Sequence, residues 1–458
     1  MSPQIIFKCL KISSKITSAL RGSDEFRFRE VIADPILCLT LLLFSACIVA
    51  GEEPVIGQVL TLKAATEQAV RDNPDLAQMQ ARAQAMAAIP SQMGTLPDPE
   101  ISFNAMSLPV NTFSTRQEDM TQLGVGISQA FPFPGKLALR EQAAAFEAEA
   151  ATQNVTEVRW RLLSEVKTTW WLIFYLDRAI RIVDSNYALL RQFVEIARTK
   201  YEVGEGLQQD VLLAQLELSK LLDQQLMLKA SRRNAAASLN ALLDKPANEE
   251  LRLPDKVDLQ LPTIKQETLL YQQAETSRAV LEGNRQGINA AQSRLDLAKK
   301  EVLPDFNLGA SYGARDDMPS GDRRADLLSL NLSMNVPIFA AQKQAKAVDQ
   351  RTSELMQEKY ALQDQWNKVR SQISQSYNDY RRAKDQVVLF ETGIVPQSRQ
   401  TVASMLAGYQ VNKVDFLNLV RSQITLFEYE TQYWKAFTEA NQSLAQLSAA
   451  VGKEEIYE

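Results

Sequence analysis

One pattern occurs twice in this chain, offset by about 207 positions, and together the two copies span most of its 458 residues. Thr61-Leu62 recurs as Thr268-Leu269, Leu96-Pro-Asp98 as Leu303-Pro-Asp305, and Ser128-Gln-Ala-Phe-Pro-Phe133 as Ser333-Met-Asn-Val-Pro-Ile338. Tyr201-Glu-Val-Gly204 returns, altered, as Tyr409-Gln-Val-Asn412. Fixed-period self-similarity of this kind marks duplication of one supersecondary unit. Each copy reads helix, strand, strand, long helix, tight reversal, shorter helix. The first copy covers 60-259, with strands about 99-107 and 121-131 and a tip about 201-207. The second covers 260-452, with strands about 305-313 and 326-337 and a tip about 408-415.

The strands limit the fold further. Ile101, Phe103 and Ala105 alternate with polar neighbours, and Leu123, Val125 and Ile127 alternate with Gln122, Gly124, Gly126 and Ser128. In the second copy Phe306, Leu308, Ala310 and Tyr312 share one side, followed by Leu328, Leu330, Leu332, Met334 and Val336 alternating with Ser329, Asn331, Ser333 and Asn335. Apolar outside and small or polar inside is the transmembrane β-barrel pattern. The first hairpin alone also fits a soluble hairpin with one face on a core. Four strands cannot close a barrel, and lipid does not tolerate an open edge. Several copies must therefore pool their strands; two copies reach the usual minimum of about eight and three give about twelve.

Lys136 to about Lys200 runs without proline or glycine. At about 1.5 Å per residue such a helix spans on the order of 100 Å, too long for one globular core and suited to a coiled coil or helical tube. Ile180, Val183, Tyr187, Leu190, Val194, Ala197 and Tyr201 follow a 3,4 spacing before the first tip, and Leu207, Val211, Ala214, Leu218 and Leu221 resume it afterwards. Gly204 and Gly206 provide the φ freedom for the reversal. Leu60 to about Gln92 has helical propensity, Leu207 to about Leu243 is helical, and Asp244 to Pro262 is irregular. Thr263-Ile-Lys-Gln266 fits a capping box that starts a helix reaching Val302. Trp160, Trp170, Trp171, Phe174 and Tyr175 read as packing wedges between helices. Met79, Met86 and Met93 are seven residues apart, about 10 Å along a helix, so they cannot share one Cu(I) ion and read as core packing.

Composition excludes much chemistry. The chain has no histidine, which removes the usual general base, the usual zinc ligand and every Ser-His or Cys-His arrangement. Its cysteines, Cys9, Cys38 and Cys47, all lie near the start, leaving no thiolate metal site or disulfide in the body. No cofactor, metal site or catalytic constellation is expected. A net charge of −5 with interspersed signs does not suggest a nucleic-acid partner. Residues 1-50 form a signal segment with an apolar run at Ile36–Ala50, too short for a comfortable membrane span. Phe44-Ser-Ala-Cys47 loosely resembles a lipoprotein box, so lipidation of Cys47 stands beside plain cleavage near Ala50 or Gly51.

The duplicated Leu-Pro-Asp strand starts, the Pro-terminated second strands, Tyr201-Glu-Val-Gly204, Asp210-Val-Leu-Leu-Ala-Gln215 and Gly393-Ile-Val-Pro-Gln397 together resemble the TolC-type outer-membrane efflux family. The resemblance implies a mainly α fold with a membrane β-barrel: a homotrimer whose twelve-stranded barrel takes four strands from each chain, set in outer-membrane lipid. It further implies a periplasmic α-helical tunnel, a mixed equatorial region around 244-262 and the C-terminus, and a helix irregularity at Pro396. The tips would dock against a periplasmic adaptor protein bridging to an inner-membrane pump, most simply of the RND type, and would gate the duct. Tyr201, Val203, Gly204, Gly206, Leu207 and Asp210 form the first tip; Tyr409, Val411, Asn412, Asp415, Asn418 and Arg421 form the second. Asn412 replaces the expected glycine, and Asn418 and Arg421 stand where such channels can carry acidic constriction residues. Asp210 reads equally as a lumen carboxylate and as a solvated helix-start acid. Pro97-Asp-Pro-Glu100 and Ser107–Thr112 resemble the branch serving heavy-metal resistance pumps. A drug-efflux or type I secretion channel is the alternative, and an envelope coiled-coil scaffold a further one.

Overall fold

The computed structural model describes residues 59–457. The signal segment and Cys47 lie outside the described residues. Three helices come first: α1 (Leu62–Asp72), α2 (Pro74–Ala87) and α3 (Ile89–Gly94). Pro74 and Pro90, each in a helical first turn, divide what reads as one helical stretch, because proline offers no N–H to the preceding turn. Met79 packs on the main core and Met86 is half-buried, but Met93 is exposed; the core reading holds for only part of the methionine series.

Strands β1 (Glu100–Met106) and β2 (Gln122–Phe131) follow, then α4 (Lys136–Glu202, 67 residues) and α5 (Gln208–Leu242). The second copy contains α6 (Glu267–Ser277), α7 (Ala279–Lys300), β3 (Phe306–Ala314), β4 (Leu327–Met334) and α8 (Gln344–Leu389). A π-turn at Phe390–Ile394 leads into α9 (Val395–Gln410), and α10 (Phe416–Val451) completes the bundle. Pro396 sits in the first turn of α9, and the widened turn just before it is the irregularity expected there. The capping-box expectation is wrong. Thr263 caps nothing, and α6 starts at Glu267 because Ile264 is held in an antiparallel bridge to Tyr457. Nor does one helix run to Val302: the backbone is extended at Arg278, which separates α6 from α7.

The sheet is antiparallel in the order β1-β2-β3-β4, leaving β1 and β4 as its two edges. Ile101 faces Ile127, Ile127 faces Ala310, and Ala310 faces Leu330, so one apolar surface crosses all four strands. Phe103 and Leu330 are 83% and 77% exposed, more than a soluble sheet leaves uncovered. On the other surface Ser102, Gly126, Ser311 and Ser329 stand in line. The soluble-hairpin alternative finds no support here, since among the described residues no core covers the apolar side.

A polar knot joins sheet to bundle. Lys136, fully buried at the start of α4, donates from Nζ to the Leu303 carbonyl (2.8 Å) and Asp305 (2.9 Å), with Glu301 at 3.4 Å. Asp305 also accepts the Phe133 amide at 2.7 Å. Midway along the bundle, Trp170, Trp171 and Phe174 pack edge-to-face and stacked with Trp434 and Phe437, as wedges between α4 and α10. Arg178 lies over the Trp434 ring at 4.7 Å.

Candidate functional site

The two reversals, residues 203–207 between α4 and α5 and 411–415 between α9 and α10, meet at one end of the bundle around a shared core. Leu190, Phe193, Ala197, Ala214, Tyr409, Phe416, Leu419 and Val420 form it. The α4 stripe keeps Val183, Leu190 and Ala197 but buries Asn186 and Phe193 where the spacing pointed to Tyr187 and Val194. Helix α4 contacts both α5 and α10, so its apolar face is wider than a two-stranded seam. Asn186 is satisfied by the amide of buried Gln423 at 2.6 Å.

The first tip closes through Lys200, whose carbonyl accepts the amides of Glu205 (2.9 Å) and Gly206 (3.0 Å). Gly204 adopts φ +81°, the left-handed conformation that glycine enters without penalty. In the second tip the Gly408 carbonyl accepts the Lys413 amide at 2.9 Å, and Asn412 takes the left-handed position at φ +59°. Asparagine tolerates that region, and the same kind of turn forms.

The matching tyrosines differ in environment. Tyr201 is 48% exposed, whereas Tyr409 is 5% exposed and packs on Phe416 at 5.3 Å. The Tyr409 hydroxyl has no hydrogen-bond partner among the described residues, and burial, reinforced by the Asp210 charge, pushes its pKa up. Burial likewise raises the Asp210 carboxyl, with the Asp415 charge adding and a Leu207 backbone hydrogen bond opposing. Asp415 accepts the Asn418 amide at 3.0 Å. Val203, Leu207, Val411, Asn412 and Arg421 are exposed.

One residue that binds the two tips was missed in the sequence. Lys200 Nζ donates to the Tyr409 carbonyl at 2.9 Å and to the Asn412 side chain, and lies 4.6 Å from the Tyr409 ring centre. A lysine in a last helical turn reads as an ordinary partner of the helix dipole. Its distant acceptors become neighbours only when the copies pack. No group of three or more Cys, Asp or Glu among the described residues is placed to hold a metal ion.

The sequence model of a family described as outer membrane efflux protein matches residues 65–244 and 270–453, one block in each copy. This chain belongs to the outer membrane efflux protein family. As a family member it resides in the outer membrane. Among curated relatives, the outer membrane efflux protein BepC of Brucella suis is 24% identical over 56% of this chain and 56% of its own length, so the chain matches about half of that relative. The cobalt-zinc-cadmium resistance protein CzcC of Cupriavidus metallidurans is 19% identical over 86% of this chain and 90% of its own. In fold, the outer membrane protein VceC of Vibrio cholerae superimposes with a TM-score of 0.73 at 16% identity, over 86% of this chain and 97% of that one. That likeness establishes a TolC-type fold for this family member, with long helices on a four-stranded sheet.

Proposed function

We propose that the protein is the outer-membrane exit duct of a tripartite efflux system. Three copies pool their strands into a twelve-stranded barrel, and their helices form a tunnel in the periplasm. The carrying observation is the four-stranded sheet, apolar across one whole surface and open at both edges, joined to a 67-residue helix of about 100 Å that ends in paired tips. The tips face a periplasmic adaptor, which couples the duct to an inner-membrane pump of the RND type. Substrate moves through a water-filled lumen without a chemical step. Tyr201, Val203, Gly204 and Leu207 offer the adaptor an exposed first tip with Gly206 and Asp210 half-buried beside them, while the second tip packs through Tyr409 and exposes Asn412, Asp415, Asn418 and Arg421.

The match to CzcC along nearly its whole length supports heavy-metal ions as cargo. With no histidine in the chain, selectivity belongs to the pump. The test is tolerance to cobalt, zinc and cadmium in a host that has the cognate adaptor and pump but no channel. Expression of this chain should restore tolerance. Restored drug tolerance without metal tolerance would overturn the cargo, and restoration of neither would overturn the duct.

A further inference from the structure

The duplication defines how one copy meets the next. Strand β3 lies 207 positions after β1, and β4 lies 205 after β2, as the recurring Leu-Pro-Asp and Ser-to-Pro motifs show. Shifted by those offsets, the β1–β2 pairs Ile101–Ile127 and Phe103–Val125 become Leu308–Leu332 and Ala310–Leu330. Those are the pairs seen between β3 and β4. The repeat is therefore preserved to the residue in strand register, not just in sequence.

The same shift applied to the remaining ladder, β2–β3, has no counterpart inside the chain. Its images fall on the two free edges, β4 and β1. Ile127–Ala310 maps to Leu332–Phe103, Val125–Tyr312 to Leu330–Ala105, Ser128–Gly309 to Ser333–Ser102, and Gly126–Ser311 to Asn331–Asn104. The sidedness of the two edge strands is compatible with this register. The register places Phe103 and Leu332, 83% and 69% exposed, side by side on the apolar surface, and sets Asn104 against Asn331 on the polar one. A slip of one residue would put polar side chains on the lipid side along the whole seam.

We propose that β4 of each copy pairs antiparallel with β1 of the next copy in this register, with Leu332 opposite Phe103 and Ser333 opposite Ser102. The partner is a second copy of this chain, and the proposal rests on the pooled barrel described above. The mapping also carries the Phe133 amide and Asp305 onto Ile338 and the next copy's Asp98.

Paired cysteines test the register. Directly opposed strand residues have Cβ atoms about 4.5–5.5 Å apart, within reach of a disulfide after slight adjustment, whereas diagonal neighbours stand about 7–8 Å apart. The variant S102C/S333C, oxidised in intact outer membranes, should run as covalent dimers and trimers on non-reducing gels. N104C/S333C and E100C/S333C, each two residues out of register, should give several-fold less, and the single-cysteine variants control for the native cysteines. Native mass, measured separately, distinguishes the failures. Oligomers in which an out-of-register pair links best, or in which no pair links, overturn the register while the pooled barrel stands. A chain that is monomeric in membrane extracts overturns both.

Discussion

Asp210 stands in the first turn of α5, where the helix terminus favours a negative charge and partial burial opposes it. Burial prevails, and the nearby Asp415 charge adds to it, so the folded-state pKa lies above the ordinary 3.8. A raised carboxyl pKa means that the folded form holds its proton more tightly than the unfolded one. The associated stability is fully present below 3.8 and is lost as pH rises through the folded-state value. Asp210→Asn should therefore slow amide exchange at the tips relative to the parent at neutral pH, and the two should converge well below pH 3.8. Equal exchange at both pH values would count against a strained carboxylate. The helix-start position of Asp210 was legible in the sequence. Its proximity to Asp415 and Tyr409 was not, since those residues lie about 200 positions away and meet it only across the packed tips.

At the scale of the element, the two tip glycines do different work. A Cβ at Gly204 would meet nothing within 4 Å, so only the left-handed backbone at φ +81° resists substitution. Gly204→Ala should cost about 1–2 kcal/mol. A Cβ at Gly206 would come within 3.0 Å of Lys200 Cβ and the Tyr201 amide nitrogen, part of the turn that defines the tip. Gly206→Val should therefore open the first reversal more than Gly204→Ala does. Limited proteolysis of isolated channels should show tip cleavage increasing in that order; the reverse order would mean backbone strain dominates. Helix and strand periodicity located these elements well. The errors at Thr263 and Val302 arose where a distant partner decides the backbone: Tyr457 claims Ile264, and Arg278 is turned inward to pair with Glu157 at 2.7 Å. A short capping motif has no way to register either contact.

For the whole molecule, the sheet demands opposite things of adjacent residues. Leu330, in mid-strand and 77% exposed, lies on the apolar surface, whereas Asn331 beside it lies on the polar one. A cation facing lipid costs about 2–4 kcal/mol near the bilayer midplane and little in a water-filled lumen. Leu330→Arg should reduce the amount of heat-resistant oligomer in outer membranes, and Asn331→Arg should leave it close to the parent. Equal loss in both would contradict the sidedness of the sheet.

The sequence by itself determined the duplication, the alternating strands, the long helices and the need for more than one copy, because these follow from period, helical rise and backbone hydrogen bonding in lipid. All of them are local or repeated properties that a linear pattern records. Only the tertiary structure decided which face of α4 is buried, where the helices break, and that Lys200 ties the two tips together. It also decided that Tyr409 is buried while Tyr201 stays exposed. These outcomes depend on which helices lie against each other. Two copies of one repeated unit acquire different environments once each is packed against different neighbours.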